Sequence, residues 1–189
     1  MGQRYVISGS PGSGKTTLVE TLRPLPDVWV SEESARTISS GKLGEQGKVL
    51  WDNMVNSKDD ELKKWDRLVF ERAVLQNDMD VFTNAPIQDK NCFFDCGVVE
   101  AYSYLRLHEL EVPDLFTETL IKYRYDQVFF TPMWPELLKN YSKPGVIDWG
   151  EKLSDIILKT YESLEYEVTI IPKVSLQERV NFIMEKIKS

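Results

Sequence analysis

Residues Gly9 to Thr16 read Gly-Ser-Pro-Gly-Ser-Gly-Lys-Thr, a complete match to G-x-x-x-x-G-K-[ST]. The segment stands between a short apolar run (Tyr5, Val6, Ile7) and a helical stripe (Leu18, Val19, Leu22), so it dictates strand, tight turn and helix in that order. Glycines let such a turn curl until successive N–H groups point inward, and the following helix adds the positive end of its dipole. A cradle of this kind takes phosphate. The expected nucleotide contacts are Gly9, Ser10, Pro11, Gly12, Ser13, Gly14, Lys15, Thr16 and Thr17, with Lys15 bridging the β- and γ-phosphates and the Thr16 hydroxyl ligating Mg²⁺. The alternative is an ordinary glycine-rich turn before a helix; the complete pattern in its proper context favours nucleotide binding.

The rest of the chain alternates strand and helix, which predicts an α/β fold with a mostly parallel five-stranded sheet flanked by helices on both faces. Strands are expected at Arg4–Ser8, Asp27–Ser31, Cys92–Asp95, Asp126–Phe130 and Tyr166–Ile171, all short apolar runs suited to burial on both sides. Helical core stripes are read at Leu62, Trp65, Val69 and Ala73, and at Val98, Ala101, Tyr102 and Leu105. Two more follow, one introduced by a capping box at Asp148 and Glu151, the other by Ser175 and Glu178. Residues 41–58, with Gly41, Gly44 and Gly47, read as a mobile turn-and-helix insertion, and residues 131–145 hold too many prolines for one continuous helix. Both stretches follow strands, where binding loops tend to lie.

With 189 residues and neither a repeat nor a linker, the chain is expected to form one domain over residues 1–189. Lys plus Arg total 23 against 30 for Asp plus Glu, a net charge of −7, which argues against nucleic acid or a polybasic membrane contact as partner. No apolar run is long enough to span a bilayer, and the N-terminus enters a strand pattern directly, so a cytoplasmic location is expected. Cys92 and Cys96 are too few for a disulfide framework, and one histidine, His108, is too few for a zinc site; His108 reads as a surface helix residue.

Asp95 ends an apolar strand, the position of a Walker-B-like carboxylate that holds Mg²⁺ or accepts a proton from an attacking hydroxyl; its competing role is helix N-cap. Glu33 and Arg36 are spaced i, i+3 after the second strand, so a helix brings them to one face. There they can hold a sugar hydroxyl and an anionic group of an acceptor, or simply form a surface ion pair of little energetic weight. The spacing leaves both readings open.

Together these segments resemble the small AAA-like P-loop ATPases, in particular the NadR-like nicotinamide-riboside kinase domains among the P-loop small-molecule kinases. The resemblance rests on Gly9 to Thr16, on Glu33-Ser34-Ala35-Arg36 (similar to the family's E-A-A-R) and on Phe93-Phe94-Asp95-Cys96-Gly97. It continues through Tyr125 to Phe130, Pro132 to Pro135, Ile171-Pro172 and Glu178-Arg179-Val180, and so spans nearly the whole chain. It implies a three-layer P-loop NTPase fold with kinase-like strand order and a lid over residues 131–148. It further implies that Pro172, Lys173 and Val174 pack against the nucleotide base, and that Glu33 and Arg36 face the acceptor. Two departures stand out. Cys96 replaces the arginine of the family's Asp-Arg-Gly, and no arginine occurs from Thr131 to Thr160, where only Lys139, Lys143, Lys152 and Lys159 are basic. Arg106 and Arg124 are sequence-level candidates to substitute, with Arg106 assigned to the substrate.

The resulting expectation is an enzyme using ATP rather than GTP, with Mg²⁺, to phosphorylate a nucleoside-like small molecule. Lys15, Asp95 and Glu33 carry catalysis, and Thr16 and Asp95 carry the metal. The alternative is a nucleotide-dependent switch protein with slow or no phosphoryl transfer, favoured by the missing arginines. A motor-type AAA+ machine is a poor third reading, since 189 residues leave no room for its helical lid domain and no sensor or trans-acting arginine pattern is evident.

Overall fold

A computed structural model describes residues 2–138 and 145–188. Lys139, Lys143 and Pro144, part of the expected lid, lie outside the described residues. In chain order the elements are β1 (Arg4–Ser8), α1 (Lys15–Leu22), β2 (Val28–Val30), α2 (Ser34–Ser39), α3 (Glu45–Asn56), α4 (Asp60–Asn84) and β3 (Asn91–Asp95). There follow α5 (Val98–Leu107), α6 (Asp114–Lys122), β4 (Gln127–Phe130), α7 (Pro135–Leu138), α8 (Val146–Ser163), β5 (Val168–Ile170) and α9 (Leu176–Lys186). The five strands form one sheet in the order β2-β3-β1-β4-β5, with every pairing parallel. β1, which feeds the glycine-rich segment, is therefore the central strand.

The chain divides into two compact units. The first comprises residues 1–31, 85–97 and 125–189 and holds the whole sheet with α1, α7, α8 and α9. Its core lies on one sheet face, where Tyr5 stacks on Phe93 with ring centroids 4.9 Å apart and tilts against Phe129 at 6.0 Å. Leu18, Val19 and Leu22 of α1 and Val180 and Ile183 of α9 join that cluster, which fixes both helices against the sheet. Side chains alternate along parallel strands, so Val6, Phe94 and Val128 point to the opposite face; Phe94 there contacts Trp29 and Tyr125. β5 is an edge strand and departs from the expectation of two-sided burial, leaving Ile170 exposed.

The second unit comprises residues 32–84 and 98–124 and is helical, with α2 to α6. Here the sequence chose the wrong face of α4. Leu62 and Trp65 are exposed, whereas Phe70, Val74 and Leu75 are buried together with Asp66, Glu71 and Asp78. The true apolar stripe is interleaved with carboxylates and so looked polar. The insertion at residues 41–58 carries a full helix, α3, opened by Gly44 at φ 117°. α6 was not foreseen; Pro113, in extended conformation, ends the preceding loop and starts it. Asp148 does not cap α8, whose N-cap is Gly145 in the left-handed region, so the carboxylate sits in the first turn instead. The Ser175–Glu178 capping box is present in both halves, the serine side chain accepting from Glu178 N–H and the glutamate from Ser175 N–H.

Candidate functional site

The glycine-rich segment turns as its composition demands. Gly9, Gly12 and Gly14 hold φ values of 138°, 80° and 84°, a backbone that residues with a Cβ rarely adopt. Gly9 has a second reason to lack a side chain, because a Cβ there would stand 2.3 Å from the Thr131 carbonyl oxygen. Gly14 is the N-cap of α1 and no side chain caps that end, so the first amides of the helix face the loop. Lys15 is buried, and its ammonium donates to the carbonyls of Gly9 at 2.6 Å and Ser10 at 3.0 Å. The cation thereby spans the mouth of the turn it belongs to.

The loop is braced from behind. Thr131 Oγ1 donates to the Ser8 carbonyl at 2.9 Å and shares a hydrogen bond of 2.7 Å with Ser13 Oγ. Ser154 of α8 donates to Ser10 Oγ at 3.0 Å, and Ser10 Oγ reaches Met133 Sδ at 3.4 Å. Ser10 and Ser13 are buried, so these side chains set the loop's shape and leave ligand contact to the backbone. Thr131 and Ser154 were missed at the sequence level, since their role depends on long-range partners.

Asp95 closes β3 beside β1, in register with Ile7, and its carboxylate is buried. Its N–H donates to Ser31 Oγ at 2.9 Å. Cys96 takes a left-handed φ of 67° and donates its N–H to Ile7 O at 3.1 Å, which turns the chain away after the carboxylate. Among the described residues no group of three or more His, Cys, Asp or Glu is placed to hold a metal alone. A hydroxyl (Thr16) and a carboxylate (Asp95) are the hard oxygen donors Mg²⁺ prefers when phosphate oxygens complete its shell, so the donor set fits that ion.

After β5, Val174 N–H donates to Pro172 O at 3.0 Å, so Pro172, Lys173 and Val174 form a turn that runs straight into the capped start of α9. One turn into that helix lies Arg179, a residue the sequence singled out only as part of a resemblance. It is buried, and its Nη2 reaches Ser13 O at 3.4 Å. Its spacing within an amphipathic helix gave no sign of this; only the packing of α9 against α1 brings it to the loop.

The other sequence candidates lie in the second unit. Glu33, extended at φ −66° and ψ 119°, is the N-cap of α2 and pairs with Arg36 at 2.9 Å, with the Arg36 side chain exposed. The ion pair left open above is thus formed. Asn77 Nδ2 donates to Ser34 Oγ at 2.8 Å, and Ser34 Oγ donates to Asp78, which pins α2 to α4. Burial pushes the Asp78 carboxyl up to about 8, despite the Ser34 hydrogen bond, and the nearby Glu100, Glu71 and Glu33 add to the shift. Glu71 is pushed up to about 7 by burial, opposed by Arg67 at 3.1 Å. A cavity of about 310 Å³ opens between α2, α3 and α4, lined by Ile38, Leu50, Val69, Ala73 and the polar ends of Gln76 and Asn77. Arg106 is exposed in the last turn of α5.

These features define a parallel α/β protein with a glycine-rich phosphate loop on its central strand. The family model described as AAA domain matches residues 4–179, and the chain belongs to that family. Among solved structures it is similar to deoxyadenosine kinase from M. mycoides with bound dATP (TM-score 0.71, 13% identity, covering 99% of this chain and 100% of that one). It is also similar to thymidylate kinase from Candida albicans (TM-score 0.67, 12% identity, 99% and 91% covered). A third similarity is to the NadR protein in complex with NR (TM-score 0.68, 20% identity), where it covers 98% of this chain but only 50% of that one. The chain thus spans about half the length of NadR. At these identities the likeness is one of fold, the fold of P-loop kinases. No curated protein matches the sequence. Among the described residues, no helix is long and apolar enough to cross a membrane.

Proposed function

We propose that the protein binds ATP with Mg²⁺ and transfers its γ-phosphoryl group to a hydroxyl of a nucleoside-like small molecule. The observation that carries this reading is the loop from Gly9 to Thr16, whose three left-handed glycines, uncapped helix start and inward lysine form an anion cradle. Backbone amides and Lys15 hold the β- and γ-phosphates, and Thr16 and Asp95 would hold Mg²⁺, which would neutralise charge on the transferring group. Thr17 and the turn Pro172 to Val174 border the rest of the nucleotide. In the second unit Glu33 and Arg36 are assigned to the acceptor, with Arg106 as a further basic group. During transfer the acceptor oxygen bonds to phosphorus, the bond from phosphorus to the β,γ-bridging oxygen breaks, and a carboxylate takes the hydroxyl proton. The lid assigned to residues 131–148, part of which lies outside the described residues, would keep water from the phosphate. The similar folds of deoxyadenosine kinase with bound dATP and of the NadR protein in complex with NAD and AMP-PNP support the reading by analogy of architecture.

The test is ADP release from ATP and Mg²⁺ with a panel of nucleosides and other hydroxylated metabolites. At least one acceptor is expected to raise turnover well above the basal rate, and Glu33→Gln is expected to remove that increase while ATP still binds. ATP binding with no acceptor effect across the panel would instead favour the nucleotide-dependent switch, the reading to which Cys96 and the arginine-free stretch from Thr131 to Thr160 lend weight.

A further inference from the structure

Arg179 is 5% exposed, yet its side chain's only hydrogen bond among the described residues runs to the Ser13 carbonyl, at a long 3.4 Å. Its Nε is buried with no hydrogen-bond partner, and among the described residues no carboxylate pairs with it. The guanidinium lies over the Trp134 ring, 5.9 Å from the centroid. Its Nη1 stands only 2.9 Å from where a Cβ at Gly14 would be, so any side chain at that loop position would press on it. A buried guanidinium without an anion is costly, because desolvation is not repaid by a charge partner. Burial accordingly pushes its pKa down. All these groups belong to the first unit.

We infer that Arg179 is a nucleotide-binding residue whose guanidinium takes an oxygen of the polyphosphate held by Gly9 to Thr16. The inference rests on the nucleotide-binding reading above and adds to it the source of a missing charge. The stretch from Thr131 to Thr160 contains no arginine, and of the two arginines the sequence offered in compensation, both Arg106 and Arg124 are exposed in the second unit. Arg179 comes from α9 and reaches the loop because the Ser175–Glu178 box fixes where that helix begins. The Trp134 ring, with the guanidinium carbon 5.9 Å over its centroid, favours the planar fork there, which a lysine at the same place would not supply.

The experiment is equilibrium binding of ATP, ADP and AMP, with Mg²⁺, to the full chain and to Arg179→Gln and Arg179→Lys, alongside melting of each protein without nucleotide. Arg179→Gln is expected to weaken ATP by about 10-fold or more and AMP by less than about 2-fold, as loss of a charge-assisted phosphate contact requires. Arg179→Lys is expected to fall between Arg179→Gln and the unaltered chain for ATP, and the nucleotide-free proteins to melt no lower than the unaltered chain. ATP affinity unchanged in Arg179→Lys and Arg179→Gln, or an equal loss for all three nucleotides, would overturn the assignment while leaving nucleotide binding intact. If the unaltered chain binds none of the three, the underlying reading falls and the assignment falls with it. Should Arg179→Gln not fold, Arg179→Lys alone decides between the same outcomes.

Discussion

The Ser34 hydroxyl donates to the buried carboxyl group of Asp78, a contact that helps tie the short helix α2, N-capped by Glu33 and carrying Arg36, to α4. Asn77 completes the cluster by donating to the same hydroxyl at 2.8 Å. Six-residue α2 is too short to persist alone, so its position depends on such ties.

Burial raises Asp78 to about 8 and Glu71 to about 7, so the native state holds protons that the unfolded chain releases just above the ordinary carboxylate range. Stability present at low pH is therefore lost as pH rises through those native values. The urea midpoint is expected to fall between about pH 5 and about pH 8, and Asp78→Asn, which keeps an acceptor for Ser34, is expected to flatten the upper part of that fall. A midpoint that rises over the same interval would contradict the assignment of buried, protonated carboxyls.

Arg67 pairs with Glu71 at 3.1 Å and lies over the Tyr104 ring at 5.6 Å, linking α4 to α5. Removing the guanidinium leaves a carboxyl with 2% side-chain exposure and no counter-charge. Glu71 is already pushed up to about 7 and losing Arg67 raises it further, so Arg67→Ala is expected to cost little below about pH 6 and more as pH rises above about pH 7, where the buried carboxyl must ionise. Denaturant unfolding at two pH values measures both.

Ser175→Ala removes one half of the capping box at the start of α9. The expected cost is about 1 kcal/mol in unfolding free energy. ATP affinity is expected to weaken as well, because the same cap fixes the course of the chain from Lys173 to Arg179. A stability loss with wholly unchanged affinity would show that the helix start does not govern the site.

Gly9→Ala sets a methyl 2.3 Å from the Thr131 carbonyl at a φ of 138°. Strain and collision together are expected to lower the melting temperature and abolish nucleotide-dependent stabilisation, as read by thermal shift. Preserved stabilisation by ATP would mean that the loop adopts another shape when it binds.

Much of this was legible in the sequence where local chemistry and tertiary packing agree. The first strand begins and ends where the apolar run from Arg4 to Ser8 does, and Ser175 with Glu178 caps a helix as spelled. The loop residues Gly9 to Thr16 needed only their own spacing and flanks. The misses have a common physical origin in burial that composition conceals. Asp66, Glu71 and Asp78 share the buried face of α4, so the sequence pattern points to the exposed Leu62 and Trp65 as core instead. Arg179 and Thr131 matter because α9 and β4 carry them to the loop from 118 or more positions away, and no local pattern reports that.

The most direct measurement is calorimetric titration of ATP with Mg²⁺ into the unaltered chain and into Lys15→Ala. Saturable one-site binding is expected for the former, and loss of that binding for the latter while it remains folded. Equal binding by both, or none by either, would contradict the claim that the segment from Gly9 to Thr16 holds the nucleotide's phosphates.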